Sequence, residues 1–258
     1  MIVIFLLLLL YRYNLIVPES KGLPVLLYHK ISESISDDLT VSVSMFEDQI
    51  KYLKQENYNS VSLSELINYV YHNSPLPENP VIISFDDGYL NNLEYALPVL
   101  KKYNFKSVIF LPVKFINDKN KWDEGNELLL SASQISTMSN ENFEFGIHSF
   151  SHTNFKNLTS KEIENEITQS INTLNDLKIN FTPAFAYPYG GRPENSTVYQ
   201  NMIDAFKNYN IKLAFRIGNR INPLPIRNKF EIKRISVNGN DSIKNFIIKV
   251  KKGRIKQF

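Results

Sequence analysis

The 258-residue sequence contains no cysteine and only four histidines, and its charge is nearly balanced. Without cysteine the chain has no disulfide bonds and no thiolate chemistry, so a catalytic cysteine and a cysteine-ligated metal are both excluded. The 29 basic and 26 acidic side chains leave a net charge of +3, and the basic residues are spread along the chain. No basic stripe or motif indicates a nucleic-acid partner.

Long apolar runs are also scarce, and the exception lies at the N-terminus. Met1–Leu10 is continuously apolar, and Leu15–Val17 resumes the pattern after Arg12. Ten residues are too few to cross a bilayer, which needs about 20, but the segment through Val17 is a marginal span. We predict that residues 1–17 form an uncleaved anchor. A cleaved signal segment is the second interpretation and a buried strand the third. The first two interpretations place residues 18–258 outside the cytoplasm, either anchored to the membrane or secreted.

After this segment, short apolar runs alternate with amphipathic stretches. The predicted strands are Val25–Ile31, Val81–Phe85, Ser107–Val113, Phe143–Ile147, Ala184–Tyr187, Leu213–Ile217 and Ile232–Val237. The predicted helices are Met45–Glu56, Leu63–Tyr71, Leu93–Tyr103, Gln134–Ser139, Lys161–Leu177, Val198–Tyr209 and Ser242–Val250. Continuous apolar runs are typical of parallel strands buried on both faces. The pattern therefore predicts an α/β fold, either a barrel or a doubly wound sheet.

Four of the helices begin with a capping-box pattern, in which a hydroxyl residue precedes Glu or Gln by three positions. The pairs are Ser44 with Glu47, Ser62 with Glu65, Ser131 with Gln134, and Thr159 with Glu162. Between two strands, the polar stretch Asn117–Asn126 predicts a loop along one wall of a cleft, with Trp122 either lining that cleft or pinning the loop.

Two adjacent carboxylates follow the second predicted strand. Asp86 and Asp87 come directly after the apolar run, and Gly88 lets the chain turn. At the carboxyl end of a parallel strand, one acid could bind a cation while the other moves a proton. Taken alone, the same residues fit an ordinary turn or helix cap.

Two of the four histidines lie four residues apart after another predicted strand. His148 and His152 could converge on one metal, and with a carboxylate they form a three-ligand set typical of a catalytic zinc site. A pair of surface or capping histidines is an equal alternative. His29 lies near the end of the first predicted strand, where a core histidine is the more common interpretation. Phe185–Gly191 ends a further strand with a Pro-Tyr-Gly-Gly turn that could present a backbone N–H to an oxyanion.

Together these segments resemble the polysaccharide deacetylase family, also called the NodB-homology or carbohydrate esterase family 4 domain. Ser84–Gly88 is similar to its T/S-F-D-D-G motif, His148–His152 to its H-S/T-x-x-H motif, and Phe185–Gly190 to its Pro-Tyr motif. The resemblance covers roughly Leu23–Val237 and implies a distorted (β/α)7 barrel within residues 18–258. It also implies one divalent metal, zinc, with cobalt or nickel as alternatives.

The resemblance assigns roles to five residues. Asp87, His148 and His152 match the metal ligands, and Asp86 matches the general base that activates water. Tyr189 matches the residue whose backbone N–H holds the oxyanion. Ala186 stands at or near the place where many members carry an arginine that orients the base, and no histidine follows His152 to serve as the usual late acid. His29 is a candidate for that role or at least for lining the site, and a water molecule is the alternative acid.

The implied activity is removal of N-acetyl groups from N-acetylglucosamine units of an extracellular polysaccharide. Tyr28-His29 and the Phe-Ala-Tyr-Pro-Tyr-Gly segment resemble the subgroup that acts on poly-β-1,6-N-acetylglucosamine. Peptidoglycan, chitooligosaccharides and O-acetyl esters remain as alternative substrates. The missing arginine and late histidine also leave open a non-catalytic sugar-binding module at the cell surface.

Overall fold

The computed structural model describes residues 21–253, apart from residues 124, 140 and 142. The strands in this part of the chain are β1 (Val25–Tyr28), β2 (Lys30–Ser32), β3 (Thr40–Ser42), β4 (Asn59–Ser60), β5 (Pro80–Asp86), β6 (Ser107–Leu111), β7 (Phe143–Ile147), β8 (Ala184–Ala186), β9 (Leu213–Ile217) and β10 (Ile232–Ser236). The α-helices are α1 (Val43–Gln55), α2 (Leu63–His72), α3 (Leu97–Tyr103), α4 (Ala132–Ser139), α5 (Ser160–Asp176), α6 (Ser196–Asn208) and α7 (Ile243–Lys252).

Seven of the strands close into a parallel barrel. Around the barrel the order is β1, β10, β9, β8, β7, β6 and β5, and β5 pairs again with β1. Every pairing is parallel, so all seven carboxyl ends open at the same mouth. This arrangement confirms the distorted (β/α)7 barrel and excludes the doubly wound sheet.

The seven barrel strands are the seven predicted from apolar runs. The predicted strand Val25–Ile31 is broken after Tyr28, and its last two residues belong to β2. The sequence did not reveal this break, nor β3, which pairs with β2 in a separate parallel pair, nor β4, which extends the sheet beside the start of β5. These strands contain only two or three residues each, too few to produce a periodic pattern. The predicted anchor, residues 1–17, lies outside the described residues. Within them, no helix combines the length and the apolar character that crossing a membrane requires.

Alternation along the strands divides the core into two parts. In β5, Val81, Ile83 and Phe85 face outward and pack with the surrounding helices. Ile82 packs inside the barrel with interior residues of other strands, among them Phe110. Helices therefore cover the outer face, as the continuous apolar runs predict for a parallel sheet, and the interior is free to carry the polar residues of the mouth.

The helix starts follow the capping pattern with one correction. The boxes at Ser62 and Thr159 are present, with both reciprocal hydrogen bonds formed. Ser131 and Gln134 also exchange these bonds. The box predicted at Ser44 is wrong: α1 begins at Val43, two residues before the predicted start, and its cap Ser42 accepts the hydrogen bond from the Met45 N–H.

Candidate active site

All six predicted site residues lie together at the barrel mouth. They line one cavity of about 330 Å³: His29, Asp86, Asp87, His148, His152 and Tyr189. Each comes from the end of a strand or from the loop that follows it, and the parallel topology brings these ends together. A mouth formed by strand ends and their loops is where α/β barrels place their chemistry.

Asp87, His148 and His152 form one compact cluster. A ligand atom from each of these three buried residues lies within 4.8 Å of the other two. The Asp87 Oδ1 atom is 3.1 Å from Nε2 of His152 and 3.6 Å from Nε2 of His148. One carboxylate and two imidazoles in this arrangement are the donor set of a catalytic zinc-type site.

The orientation and protonation of His148 suit a metal ligand. Its Nδ1 lies 2.8 Å from the backbone oxygen of Ala186 and so donates its proton there, which leaves the Nε2 lone pair directed toward the carboxylates. A hydrogen bond of this kind commonly fixes a metal-binding histidine. Burial lowers the pKa of His148 to about 4 despite the nearby Asp86 carboxylate. The imidazole is therefore uncharged at neutral pH.

Asp87 provides a direct test of whether the cluster fits a metal. Its Oδ1 is buried, yet no hydrogen bond of acceptable geometry reaches that atom from the described residues. Burial alone would raise the pKa of Asp87, but the His152 imidazole outweighs burial and holds the pKa far below its usual value. A buried, ionised oxygen without a hydrogen bond is costly unless a cation neutralises it. The three residues thus fit a divalent metal.

Asp86 is held by an arginine that sequence analysis did not assign. The two guanidinium nitrogens of Arg234 donate to the two carboxylate oxygens of Asp86 at 2.5 and 2.6 Å. Arg234 is fully buried and Asp86 is 3% exposed. Burial alone would raise the pKa of Asp86, but Arg234 outweighs it and lowers the pKa. Asp86 is therefore ionised and fixed in orientation. Its Oδ2 lies 3.5 Å from Nε2 of His148.

Arg234 corrects the interpretation drawn from the third motif. No arginine stands at Ala186, but the late strand β10 supplies a guanidinium from another side of the same mouth. The sequence carried a signal for this role, because Arg234 is a charged residue at the centre of a predicted strand. Ile232 and Ile235 of that strand lie on opposite faces, and both are buried. A buried arginine at such a position requires an acidic partner.

Residues inside the barrel pack against this arginine and hold it in place. The guanidinium lies over the ring of Phe110, 5.4 Å from its centroid, in a cation–π contact. Gly146 on β7 makes room for that ring, since a Cβ at this position would lie 2.6 Å from the Phe110 ring carbons. The position of the Asp86 carboxylate thus depends on a stack of residues that extends into the barrel.

Backbone strain is concentrated at the same mouth. Twelve described non-glycine residues have positive φ, and seven of them are asparagines, which tolerate this conformation. Four of the other five belong to the predicted motifs: Asp87, Ser149, His152 and Tyr189. Strain of this kind persists where the surrounding structure overrides local preference, as it does at functional sites.

An aromatic wall borders the cluster. The Trp122 ring lies 4.5 Å from the His152 ring, and the Tyr189 ring meets it edge-on at 4.8 Å. Trp122 also packs on Phe115 at 5.1 Å. Both interpretations of Trp122 are therefore correct, because it pins its loop and lines the cavity. Tyr189 is 58% exposed, so its side chain forms part of the entrance.

His29 lies at the cavity, although it is not part of the metal cluster. It is half-buried at the end of β1, and its backbone oxygen accepts a hydrogen bond from Asn92. The late strand ends at the cavity with Ser236, Val237 and Asn238 and so brings no imidazole there. His29 is the remaining imidazole at the mouth once the two candidate ligands are set aside.

The fold and the site define a class. A parallel α/β barrel whose mouth carries two carboxylates and two imidazoles has the arrangement of metal-assisted hydrolases. Within that class the chain belongs to the polysaccharide deacetylase family, whose model matches residues 73–201.

Individual proteins extend this similarity. The putative polysaccharide deacetylase YxkH of Bacillus subtilis is 30% identical over 168 residues, which are 65% of this chain and 57% of YxkH. The poly-β-1,6-N-acetyl-D-glucosamine N-deacetylase of Staphylococcus epidermidis is 28% identical over 221 residues, covering 81% of this chain and 71% of that protein. The structure of IcaB from Ammonifex degensii has the same fold, with a TM-score of 0.76 and 22% identity over 90% of this chain and 98% of that one.

Proposed function

We propose that this protein is a metal-dependent N-deacetylase that hydrolyses N-acetyl groups on N-acetylglucosamine units of an extracellular polysaccharide. The observation that carries the proposal is the pairing of two differently held carboxylates. Asp86 is ionised and bound by Arg234, and Asp87 lies among two imidazoles with an oxygen free for a cation. This division separates a proton acceptor from a metal ligand, as amide hydrolysis requires.

Asp87, His148 and His152 would hold the metal, with zinc as the first candidate and cobalt or nickel as alternatives. When bound, a divalent ion lowers the pKa of water from 15.7 toward about 7 and polarises the acetyl carbonyl. Asp86 accepts the proton of the attacking water, and Arg234 keeps its carboxylate ionised and oriented. The backbone N–H of Tyr189 stabilises the carbonyl oxygen as it becomes negative. His29 donates a proton to the sugar nitrogen as the carbon–nitrogen bond breaks, and the products are acetate and an amine.

The charge of the cavity suits this substrate. Four aspartates line it, at positions 38, 86, 87 and 123, whereas the lining that the structure describes includes no lysine or arginine. Apart from a bound metal, an anionic ligand would therefore meet no cation there. A neutral acetamido sugar and the positively charged amine that it yields are both compatible with such a lining. A volume of about 330 Å³ is small among ligand pockets and matches one unit of a longer polymer.

For the polymer itself we propose poly-β-1,6-N-acetylglucosamine. The support is the named activity of the Staphylococcus epidermidis relative and the alignment of that relative with 81% of this chain. Peptidoglycan and β-1,4-linked chitooligosaccharides present the same acetamido group and remain the competing substrates.

The test is acetate release by the purified full chain from β-1,6-linked and β-1,4-linked N-acetylglucosamine oligomers. The chain is first stripped with a chelator and then supplied with zinc, cobalt or nickel. Release that requires metal and is lost in Asp86→Asn supports the deacetylase, and the faster oligomer identifies the linkage. No release from either oligomer by a folded, metal-loaded chain contradicts the proposed substrate. Binding of the polymer without any release would favour the sugar-binding module.

We also propose that the protein acts outside the cytoplasm, at the membrane through residues 1–17. The support is the apolar character of that segment and the polymeric substrate proposed for the site. Fractionation of cells that produce the full chain, compared with a chain that begins at residue 18, is the test. The full chain should sediment with membranes and the shortened chain should not; equal distribution of the two would contradict an anchor.

A further inference from the structure

We propose that Glu166, on α5, is a positioning residue that holds the loop of residues 148–152 in its metal-binding conformation. This inference rests on the metal site proposed above. Glu166 does not line the cavity and belongs to none of the motifs that identify the site. Its role is carried by contacts with the backbone between the two candidate histidine ligands.

Glu166 binds the loop through both carboxylate oxygens. Its Oε2 accepts hydrogen bonds from the backbone N–H groups of Phe150 and Ser151, each at 2.9 Å. Its Oε1 accepts the hydroxyl of Ser151 at 2.6 Å. Three hydrogen bonds to one carboxylate from two consecutive residues fix both the position and the direction of that stretch. Because the acceptor is charged, they are stronger than bonds to a neutral oxygen.

The loop needs such support because its conformation is locally unfavourable. Ser149 has φ of +62° and His152 has φ of +58°, values that serine and histidine adopt uncommonly. The two strained residues flank Phe150 and Ser151, the pair that Glu166 binds. Without a contact from outside the loop, the backbone of Ser149 or His152 could return to a more favourable φ. The His148 and His152 imidazoles would then change position relative to each other.

A second set of contacts holds the opposite side of the loop. The His148 N–H donates to Leu111, and the Ser149 and Phe150 carbonyl oxygens accept from Val113 and Lys114. These partners lie at the end of β6 and in the turn after it. The loop is therefore held between the β6 turn on one side and Glu166 on the other. The β6 contacts extend only as far as Phe150, and Glu166 holds the next residue, Ser151, by its backbone N–H and its hydroxyl.

The placement of Glu166 on its helix supports a specific role. Ile163, Ile167 and Leu174 form the buried face of α5, and Glu166 is half-buried beside them. A carboxylate at this depth loses solvation, and its hydrogen bonds to the loop compensate for that loss. Glu164, on the same helix, is exposed and accepts from the Tyr209 hydroxyl. It provides a matched control.

The experiment measures zinc and cobalt affinity of the full chain by competition with a chromophoric chelator. Loss of a residue that orients metal ligands typically weakens affinity by about 10–100-fold, and we expect this of Glu166→Ala. Glu166→Gln retains a carbonyl oxygen that can accept both N–H groups, so it should retain most of the affinity. Glu164→Gln should match the unaltered chain. Saturating metal should restore activity to Glu166→Ala, which a direct catalytic role would not allow.

The outcomes separate this inference from the metal site itself. If Glu166→Ala is folded and binds metal as tightly as the unaltered chain, Glu166 only stabilises the fold and the inference is overturned. If Glu166→Ala does not fold, Glu166→Asp provides the same test, because its shorter side chain cannot reach the loop. An unaltered chain that binds no metal overturns the metal site and, with it, this inference. Weak binding by Glu166→Ala beside normal binding by Glu164→Gln supports the role.

Discussion

Replacing Arg234 with methionine removes the guanidinium that holds Asp86 and leaves a carboxylate buried without its partner. Arg234 has no exposed surface and Asp86 is 3% exposed, so water cannot take the place of the two hydrogen bonds. Removing one partner of a buried ion pair costs about 3–5 kcal/mol. We expect Arg234→Met to lose that much free energy of unfolding, measured by urea denaturation. The exposed Arg227→Met is the control, with an expected change within about 0.5 kcal/mol.

The same substitution should reverse the pH dependence that Asp86 contributes. In the unaltered protein Arg234 lowers the pKa of Asp86, so the pair stabilises the fold above the unfolded-state pKa of about 3.9, and this stabilisation is lost as the pH falls. Without Arg234, burial raises the pKa of Asp86 above that value. The fold then loses stability as the pH rises through about 4. The acid limb of kcat/KM for acetate release should also move to higher pH, because the base stays protonated longer.

A double substitution tests the physical cause directly. Asp86→Asn combined with Arg234→Met removes both charges of the buried pair, so the double variant should be more stable than Arg234→Met alone. The interaction free energy between the two positions should then be large, and its sign should be opposite to that of the stability lost in each single variant. An Arg234→Met protein with unaltered stability and an unaltered pH profile would refute the assignment of Arg234 as the partner of the base.

The other predictions concern the remaining residues of the mouth. Asp86→Asn should abolish acetate release while metal affinity is retained; normal turnover would contradict its role as the base. His29→Ala should slow turnover without loss of metal, and loss of metal would instead identify His29 as a ligand. Gly146→Ala forces a Cβ to within 2.6 Å of the Phe110 ring, so unfolding should become easier by about 1–3 kcal/mol in thermal or urea denaturation. Unchanged stability would show that the ring moves freely.

Much of the fold could be predicted from the sequence because the barrel strands are buried on both faces. A run such as Val81–Phe85 is apolar throughout, and its neighbours in the barrel have the same character. The short strands β2 to β4 left no such signal. The start of α1 was misplaced because Ser42 and Ser44 are both hydroxyl residues near a helix start, and the choice between them depends on backbone geometry.

The candidate site residues that the sequence predicts come from short local motifs, and sequence analysis missed the contacts that are not local. Asp86 and Asp87 are adjacent, and His148 and His152 are four residues apart, so short motifs reveal them. Arg234 lies 148 residues from its partner, and only closure of the barrel brings the two together. Glu166 was missed for a related reason: in the sequence it is one acid among several on an amphipathic helix, and its hydrogen bonds go to backbone atoms, which carry no side-chain pattern.

Arg234 also changes the balance between an enzyme and a sugar-binding module. The absence of an arginine at Ala186 was one of the two observations that favoured a module without catalysis. In a closed parallel barrel every strand ends at the same mouth, so a guanidinium from β10 can hold Asp86, the proposed base, as well as one from β8. Asp86 is a buried, ionised carboxylate that two hydrogen bonds orient, and it lies beside the cluster of Asp87, His148 and His152. Sugar binding alone does not require such a carboxylate. The cost of burying that pair is explained if Asp86 must be ionised and aligned to accept a proton, which is a requirement of catalysis.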